Sequence, residues 1–175
     1  MSTPSPIVAL LTDGRPSLLD ALDRIVAHPH RAIEVDTPVV SLEELTEPDT
    51  EGFLALVSDA SRLAPAGDRP THFSQSGRDY FFTHVVDRRR RITLDTPPNR
   101  FLKRVLEQFR DALKKLNAED PAVAGARRRL QAFLGHTFLA EIPRSARASA
   151  EHVVLHKDPH YRRVLEASVA LSRLG

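Results

Sequence analysis

Residues 95–116 constrain the fold more than any other part of the chain. Apolar side chains recur there at intervals of three and four residues, and charged side chains fill the positions between them. Asp95 or Thr96 can cap a helix, and Pro97 or Pro98 fits a first turn, because that turn has no backbone hydrogen bond to lose. This spacing predicts a long amphipathic helix whose apolar stripe is Phe101, Leu102, Val105, Leu106, Phe109, Leu113 and Leu116.

Three further stretches have the spacing of shorter helices. Residues 17–27 carry an apolar stripe that ends before Pro29, because the residue that precedes a proline is pushed out of the helical region. A second stretch covers residues 121–134, and a third begins at Pro159. We expect these last two helices and the one that begins at Pro97 to pack as a C-terminal helical bundle.

Strand signals are confined to the middle of the chain. Residues 33–40 are rich in β-branched side chains and predict a strand at a sheet edge. Residues 80–86 and 92–94 predict two strands joined through a turn at 87–90, and residues 51–63 have helical spacing. The predicted fold class is α+β and mainly helical, with the C-terminal helical bundle, a small N-terminal α/β portion and a short β-hairpin.

Pro65, Gly67 and Pro70 interrupt these patterns and are typical of a linker. We therefore predict a small N-terminal α+β region over residues 1–66 and a second region over residues 67–175 that carries the hairpin and the bundle. One continuous domain is the alternative, because 175 residues lie close to the usual size of a single domain.

Cysteine is absent from the chain, which excludes disulfides, thiolate metal sites, iron–sulfur clusters and cysteine nucleophiles. The absence fits a reducing compartment, and the N-terminus lacks the basic start and the long apolar run of a signal peptide. No segment reaches the roughly 20 apolar residues of a membrane-spanning helix. We expect a cytoplasmic protein without membrane contact.

The sequence patterns of several enzyme classes are missing. The glycines are scattered and none precedes a lysine, so a phosphate-binding nucleotide loop is not predicted. Ser74 and Ser76 lack the flanking glycine pair of a serine-hydrolase turn. No acid-x-lysine tripeptide occurs, although a nuclease of the PD-(D/E)XK type requires one. We therefore predict no catalytic residues and no cofactor.

His152, His156 and His160 recur at intervals of four residues, which on one continuous helix would align three imidazoles for a metal ion. Pro159 interrupts such a helix, and the acid that follows the first histidine in zinc proteases is missing. Capping or packing is the simpler role for these side chains, so we predict no metal site.

Arg88, Arg89, Arg90 and Arg91 form the most concentrated basic cluster. Each guanidinium can hold an oxyanion through two hydrogen bonds, which favours contact with a phosphate backbone. The alternative is a solvated turn in which the arginines pair with nearby acids. In a strand, alternation would send neighbouring arginines to opposite faces, so only part of the run would meet one ligand.

Three segments resemble a known family. Residues 95–109 (DTPPNRFLKRVLEQF) are similar to the motif D-T-P-E-N-R-F-x-K of the McrC-like and LlaJI-like restriction-associated proteins, where it precedes a long helix. Residues 158–167 (DPHYRRVLEA) are similar to a Y-R helix of that family, and residues 27–34 (AHPHRAIE) to its P-h-R segment. The positions that match the first motif are Asp95, Thr96, Pro97, Asn99, Arg100, Phe101 and Lys103.

Two departures from the family pattern limit what the resemblance implies. Pro98 stands where the family usually has a glutamate, which removes a carboxylate that would cap the helix or bind a partner. In typical relatives a PD-(D/E)XK nuclease domain follows the Y-R helix, whereas this chain stops at Gly175. The DNA-cutting activity of the family is therefore not expected of this chain.

The resemblance implies a non-catalytic accessory protein, or adaptor, of a prokaryotic antiphage restriction system that contacts a McrB-like AAA+ motor subunit, a nuclease subunit or both. Asn99, Arg100 and Lys103 would then hold a partner carboxylate or a DNA phosphate at the helix start, or else fasten the helix to the preceding strand. Tyr161 and Arg162 have the same two interpretations. Two other functions stay open: a stand-alone DNA-binding domain that uses residues 88–91, and the N-terminal fragment of a longer nuclease.

Overall fold

The computed structural model of the chain describes residues 5–58, 62–69, 71–143 and 149–174. The chain divides into two compact units: the first combines Met1–Ala32 with Thr93–Gly175, and the second is Ile33–Ile92. Helices α1 to α7 span Pro6–Thr12, Leu18–Ala27, Thr50–Val57, Pro97–Lys114, Pro121–His136, Val153–Lys157 and Pro159–Ser172. Strands β1 to β7 span Ala32–Asp36, Val39–Ser41, Leu63–Pro65, Phe73–Gln75, Arg78–Phe82, His84–Val86 and Arg89–Thr93.

The first unit is built from helices that share one apolar core. Helix α4 packs against α1, α5 and α7, while α2 packs against α1 and α7, and α6 packs against α7. The apolar stripe predicted for α4 faces this core, since Leu102, Leu106 and Phe109 are completely buried. Other fully buried members of the core are Leu11, Leu18, Leu113, Leu130, Leu139, Leu155 and Val164.

Local sequence explains where these helices begin. The Ser17 hydroxyl accepts a hydrogen bond from the Asp20 N–H, and the Asp20 carboxylate accepts one from the Ser17 N–H, each at 3.1 Å. This reciprocal capping box starts α2. Asp120 caps α5 and Asp158 caps α7, and each is followed by a proline whose missing N–H costs nothing in a first turn.

The second unit contains α3 and short strands in separate small sheets. β2 pairs antiparallel with β6, and β5 lies between β3 and β4 with antiparallel pairing to both. β1 pairs with β7 as a two-stranded ribbon. The turn from β4 to β5 places Gly77 at a φ of 73°, a conformation that glycine adopts without steric cost. The small apolar core of this unit consists of Val40, Phe82 and Val85.

Asp87 fastens the loops of the second unit. Its side chain is fully buried, and its carboxylate accepts hydrogen bonds from the Thr46 N–H at 3.1 Å, the Glu47 N–H at 2.8 Å and the Arg89 Nε at 2.8 Å. The bond from Arg89 and then the bonds from these backbone groups hold the pKa of the Asp87 carboxyl far below its ordinary value. The sequence predicted only a turn here, because Thr46 and Glu47 are distant in the chain.

The helix predictions are confirmed for α2, α4, α5 and α7. The interruption predicted at Pro159 is also present, since α6 ends at Lys157 and α7 begins at Pro159. The helix predicted over residues 51–63 is too long, because α3 ends at Val57 and residues 63–65 belong to β3. Residues 59–61 of that prediction lie outside the described residues.

The strand predictions need more correction. Residues 33–40 divide into β1 and β2, and residues 80–86 divide between β5 and β6, with a different partner strand for each piece. The short hairpin predicted between residues 80–86 and 92–94 does not form. β6 pairs with β2, and β7 pairs with β1. Both strands therefore pair with strands that are distant in the sequence and not with each other across the turn.

The observed units also differ from the predicted regions. The predicted boundary between residues 66 and 67 lies inside the second unit. Strands on either side of this boundary pair with each other, β2 with β6 and β3 with β5. Of the predicted linker residues, Pro65 belongs to β3 and Pro70 lies outside the described residues. The fold class is α+β and mainly helical, as predicted. In the described part of the chain, no helix combines the length and the apolar character needed to cross a bilayer.

Candidate functional site

The three segments that carry the family resemblance meet at one point in the first unit. His30 comes from the loop after α2, Thr96 and Asn99 come from the start of α4, and Tyr161 comes from the first turn of α7. Hydrogen bonds join these residues directly, through the side chains of all four and the backbone N–H of His30. We call these four residues the motif junction.

Asn99 is the most highly connected member of the motif junction. Its amide group donates to the backbone carbonyl of His30 at 2.8 Å and to that of Leu94 at 2.7 Å. Its Oδ1 accepts a hydrogen bond from the Tyr161 hydroxyl. The Asn99 side chain is completely buried, and both of its donors are used inside the protein. Asn99 therefore does not reach a partner or DNA, and the structure assigns it to fastening α4.

Tyr161 links α7 to the other two segments. Its hydroxyl donates to Asn99 and accepts a hydrogen bond from the His30 N–H at 3.0 Å. Only 2% of the residue is exposed, and this burial raises the pKa of the Tyr161 phenol to about 12. The hydroxyl is therefore neutral near pH 7 and acts as a structural donor and acceptor.

His30 contributes the one group of the motif junction that titrates near neutral pH. Its Nδ1 lies 3.1 Å from the hydroxyl oxygen of the buried Thr96. Its ring meets the ring of His152 edge-on, with the centroids 5.5 Å apart. Burial, and secondly the neighbouring His152, lower the pKa of the His30 imidazole below 6.5. The neutral ring is therefore the form that the folded protein favours at pH 7.

A cleft of about 440 Å³ lies beside the motif junction. His28, Lys157 and Asp158 line it with polar groups, and Val153 contributes an apolar wall. The Asp158 carboxylate already accepts hydrogen bonds from two N–H groups in the first turn of α7, at 2.8 and 3.0 Å. Tyr161 also lines the cleft, with its hydroxyl held in the motif junction. The cleft therefore has polar edges, but the Asp158 carboxylate and the Tyr161 hydroxyl are already used in hydrogen bonds within the protein.

Acid is expected to destabilise the first unit through His30. Because the pKa of His30 is lower in the folded protein than in the unfolded chain, the unfolded chain binds the proton more tightly. The stability that the neutral His30 contributes is therefore complete above about pH 6.5 and is lost as the pH falls through the lowered pKa. The melting temperature should fall between about pH 7.5 and pH 5, and His30→Gln should reduce that fall. His136→Gln, in an exposed position at the end of α5, is the control. An equal slope in both variants would show that His30 is not responsible.

Arg100 and Lys103 were predicted as partner- or DNA-binding residues together with Asn99. Arg100 forms a two-point ion pair with Asp95, with distances of 2.6 and 2.9 Å, and this pair holds the pKa of the Asp95 carboxyl below its ordinary value. Lys103 is 8% exposed, and its ammonium donates to the backbone carbonyls of Leu139, at 2.8 Å, and Ile142. The ligand-binding interpretation is therefore corrected for Asn99, Lys103 and Tyr161, because their polar groups are buried and bonded within the protein.

The arginine cluster lies on the second unit, at and before β7. Arg89 pairs with Asp87 at 2.8 Å, Arg90 with Glu47 at 3.0 Å and Arg91 with Glu34 at 2.8 Å. These three arginine side chains remain 51–69% exposed. Arg88 is exposed as well. Pairing with nearby acids, the alternative raised by the sequence, is thus present. The pairs of Arg90 and Arg91 are exposed, contribute little to stability and exchange readily, whereas Arg89 compensates the buried Asp87 carboxylate.

Arg162 is the remaining predicted residue and is exposed on α7, with 57% of its side chain accessible and Glu166 at 3.9 Å. Sequence reasoning did not predict that His30 lies against Thr96 and Asn99, because it identified His30 only as part of residues 27–34 and Thr96 only as a helix cap and a motif position. Their contact depends on the packing of α2, α4 and α7. Within the described residues, no group of three or more His, Cys, Asp or Glu side chains lies close enough to hold a metal ion.

Comparison with known proteins identifies the family of the chain. No match was found among the curated proteins or among the solved structures. One family model matches residues 1–167 and carries the description "Domain of unknown function (DUF2357)". The matched region includes all three segments that meet at the motif junction. The chain therefore belongs to the DUF2357 family.

Proposed function

We propose that this protein is a non-catalytic adaptor of a prokaryotic antiphage DNA restriction system and that it works in the cytoplasm. Its partners are a McrB-like AAA+ motor subunit, a nuclease subunit or both. The observation that carries the proposal is the motif junction, where the three segments similar to McrC-like and LlaJI-like proteins meet through His30, Asn99 and Tyr161. Three short matches that arose by chance would have no physical reason to converge.

The motif residues form hydrogen bonds inside the protein, which supports a scaffold rather than a catalyst. Catalytic groups must reach a substrate, whereas Asn99 and Tyr161 are buried and bonded to each other. Lys103 holds the two carbonyls that follow α5. We propose that α4, α5 and α7 form a helical bundle kept in register by these bonds, and that the bundle supports surfaces to which other subunits dock.

DNA binding is the second candidate function, and one observation favours it. Arg90 and Arg91 remain more than half exposed and pair with exposed acids, so that these acids could be exchanged for phosphates, whereas Arg89 is held by the buried Asp87. Arg89 and Arg91 would share one face of β7 by alternation, and Arg90 would lie on the other. DNA on one face would therefore meet only part of the cluster, which supports the adaptor as the first choice.

The adaptor proposal is tested with purified components. An AAA+ subunit and a nuclease subunit encoded in neighbouring reading frames are each mixed with the full chain, and complex formation is measured by calorimetry and size-exclusion chromatography. We expect a stable complex with at least one of them. We also expect no cleavage of DNA by the chain alone in the presence of magnesium.

Three results would contradict the adaptor. DNA cleavage by the pure chain, abolished by replacement of a carboxylate, would make it an enzyme. Binding to neither subunit, combined with duplex binding that weakens steeply with salt and is lost when residues 88–91 become glutamine, would make it a DNA-binding domain. A reading frame that continues past Gly175 into a PD-(D/E)XK nuclease would make the chain the N-terminal fragment of that enzyme.

A further inference from the structure

The ribbon of β1 and β7 has an unusual degree of exposure. It contains only these two strands within the described residues, and four of the five residues in each strand are exposed. A two-stranded ribbon is marginally stable by itself, because it has no covered apolar face. The ribbon is therefore a place where a further layer would add stability.

The side chains of the ribbon divide by chemistry between its two faces. Arg91 Nε donates to Glu34 Oε2 at 2.8 Å, which places these two side chains on the same face. Because successive residues of a strand point to opposite faces, Ile33 and Val35 lie on the other face, together with Arg90 and Ile92. We call this second face the apolar ribbon face.

The apolar ribbon face carries three large aliphatic side chains that remain in water. Ile33 is 70% exposed, Val35 is 46% exposed and Ile92 is 68% exposed. Single exposed apolar residues are ordinary, but several on one face of a ribbon are typical of an interaction surface. β-Branched residues also hold the strand conformation firmly, so little order would be lost when a partner binds.

Charge indicates what kind of partner fits the apolar ribbon face. Residues 88–92 contribute four arginines, whereas residues 33–36 contribute the two acids Glu34 and Asp36. Arg91, on the opposite face of the ribbon, pairs with Glu34 at 2.8 Å, and the two side chains are 69% and 49% exposed. A carboxylate from a partner can replace Glu34 at low cost, because an exposed pair of this kind contributes little. A complementary strand has apolar side chains on one face and acidic side chains on the other.

Two other occupants fit this face less well. A second copy of the chain related by two-fold symmetry would bring Arg90 towards its own counterpart, and like charges repel. Duplex DNA would satisfy the arginines but would place its phosphates against Ile33, Val35 and Ile92, which gain nothing from that contact. Both occupants are distinguishable by experiment.

We propose that the apolar ribbon face docks a polypeptide segment in which apolar and acidic side chains alternate. The segment belongs to another subunit, and in this respect the inference rests on the proposed adaptor function. Aliphatic side chains of the segment would lie beside Ile33, Val35 and Ile92, and its carboxylates, which point to the opposite face by alternation, would pair with Arg91. A strand added to either edge of the ribbon would present this alternation.

The test uses the full chain and a short fluorescent peptide in which valine and glutamate alternate. Binding is followed by fluorescence anisotropy, with a peptide of alternating valine and lysine as the chemical control. The double variant Ile33→Thr/Ile92→Thr removes apolar surface while keeping β-branched residues in the strands. We expect it to weaken binding about tenfold or more, and Arg91→Gln to weaken it severalfold. Val169→Thr changes an exposed valine on α7 and should bind like the wild type.

Several results would overturn the inference. These are no binding of the glutamate peptide, equal binding of the lysine peptide, or equal binding by the double variant with unchanged circular dichroism. A dimer of the wild type that dissociates in the double variant would identify a second copy as the occupant. Duplex binding that is lost in Arg91→Gln and kept in the double variant would identify DNA.

The subunit-binding assay distinguishes this inference from the adaptor proposal. If the motor or nuclease subunit binds the wild type and the double variant equally, the adaptor survives and the apolar ribbon face is not its docking surface. If neither subunit binds the wild type, the adaptor itself is refuted. Loss of subunit binding in the double variant alone would support both.

Discussion

Replacement of Asn99 by aspartate is expected to lower the free energy of unfolding by about 4 kcal/mol. The substitution keeps the shape of the side chain and removes its two donated hydrogen bonds. A carboxylate oxygen would then face the carbonyls of His30 and Leu94, which now accept from Asn99 at 2.8 and 2.7 Å. Because the site is fully buried, water cannot compensate for the lost bonds.

The loss of stability in Asn99→Asp is measured by urea denaturation followed by far-ultraviolet circular dichroism, which reports mainly on the helices of the first unit. Asn117→Asp makes the same chemical change at an exposed position and should alter stability by no more than about 0.5 kcal/mol. Tyr161→Phe is expected to cost about 2 kcal/mol and to be coupled to Asn99→Ala by about 1 kcal/mol. Equal stability of the Asn99→Asp and Asn117→Asp proteins would contradict the role assigned to the motif junction.

Replacement of Lys103 by methionine is expected to lower the free energy of unfolding by about 2 kcal/mol. Methionine keeps most of the buried stem but leaves the carbonyls of Leu139 and Ile142 without the ammonium that now donates to both. Removal of a buried charge also relieves a desolvation cost, which partly offsets the loss. The expected net effect is destabilising, because the Lys103 ammonium donates two hydrogen bonds that methionine cannot replace.

Lys114→Met is the matched control on the same helix, since its side chain is 63% exposed and pairs with Asp111. Its effect should stay within about 0.5 kcal/mol. Thermal and urea denaturation of both variants give the comparison. A Lys103→Met protein as stable as the wild type would show that the desolvation of the ammonium costs as much as its two hydrogen bonds contribute.

These two residues change what the family-like motif means for this chain. The pattern D-T-P-P-N-R-F-x-K reads as an exposed helix start able to hold an anion, yet Asn99 and Lys103 face inward. Arg100 is partly buried and is held by Asp95 from the same motif. The surfaces left for a partner are elsewhere, and the apolar ribbon face is the strongest candidate among them.

Helical periodicity predicted α4 and its buried stripe well, because an amphipathic helix is specified by residues three and four positions apart. Pro97, Pro121 and Pro159 marked the starts of three helices for an equally local reason. The strands of the second unit were predicted less well. β1, β2, β6 and β7 depend on partners far along the chain, as when Val40 pairs with Val85, and no local pattern selects such a partner.

The candidate site likewise combines features that are visible in the sequence with features that only the tertiary structure sets. The sequence by itself singled out the segments, since the three stretches containing His30, Asn99 and Tyr161 were identified by their resemblance to a known family. Only the tertiary structure decided that these residues bond to one another and that the side chains of Ile33 and Ile92 stay in water. Burial and hydrogen-bond partners are properties of packed surfaces, and a linear pattern does not specify which surfaces meet.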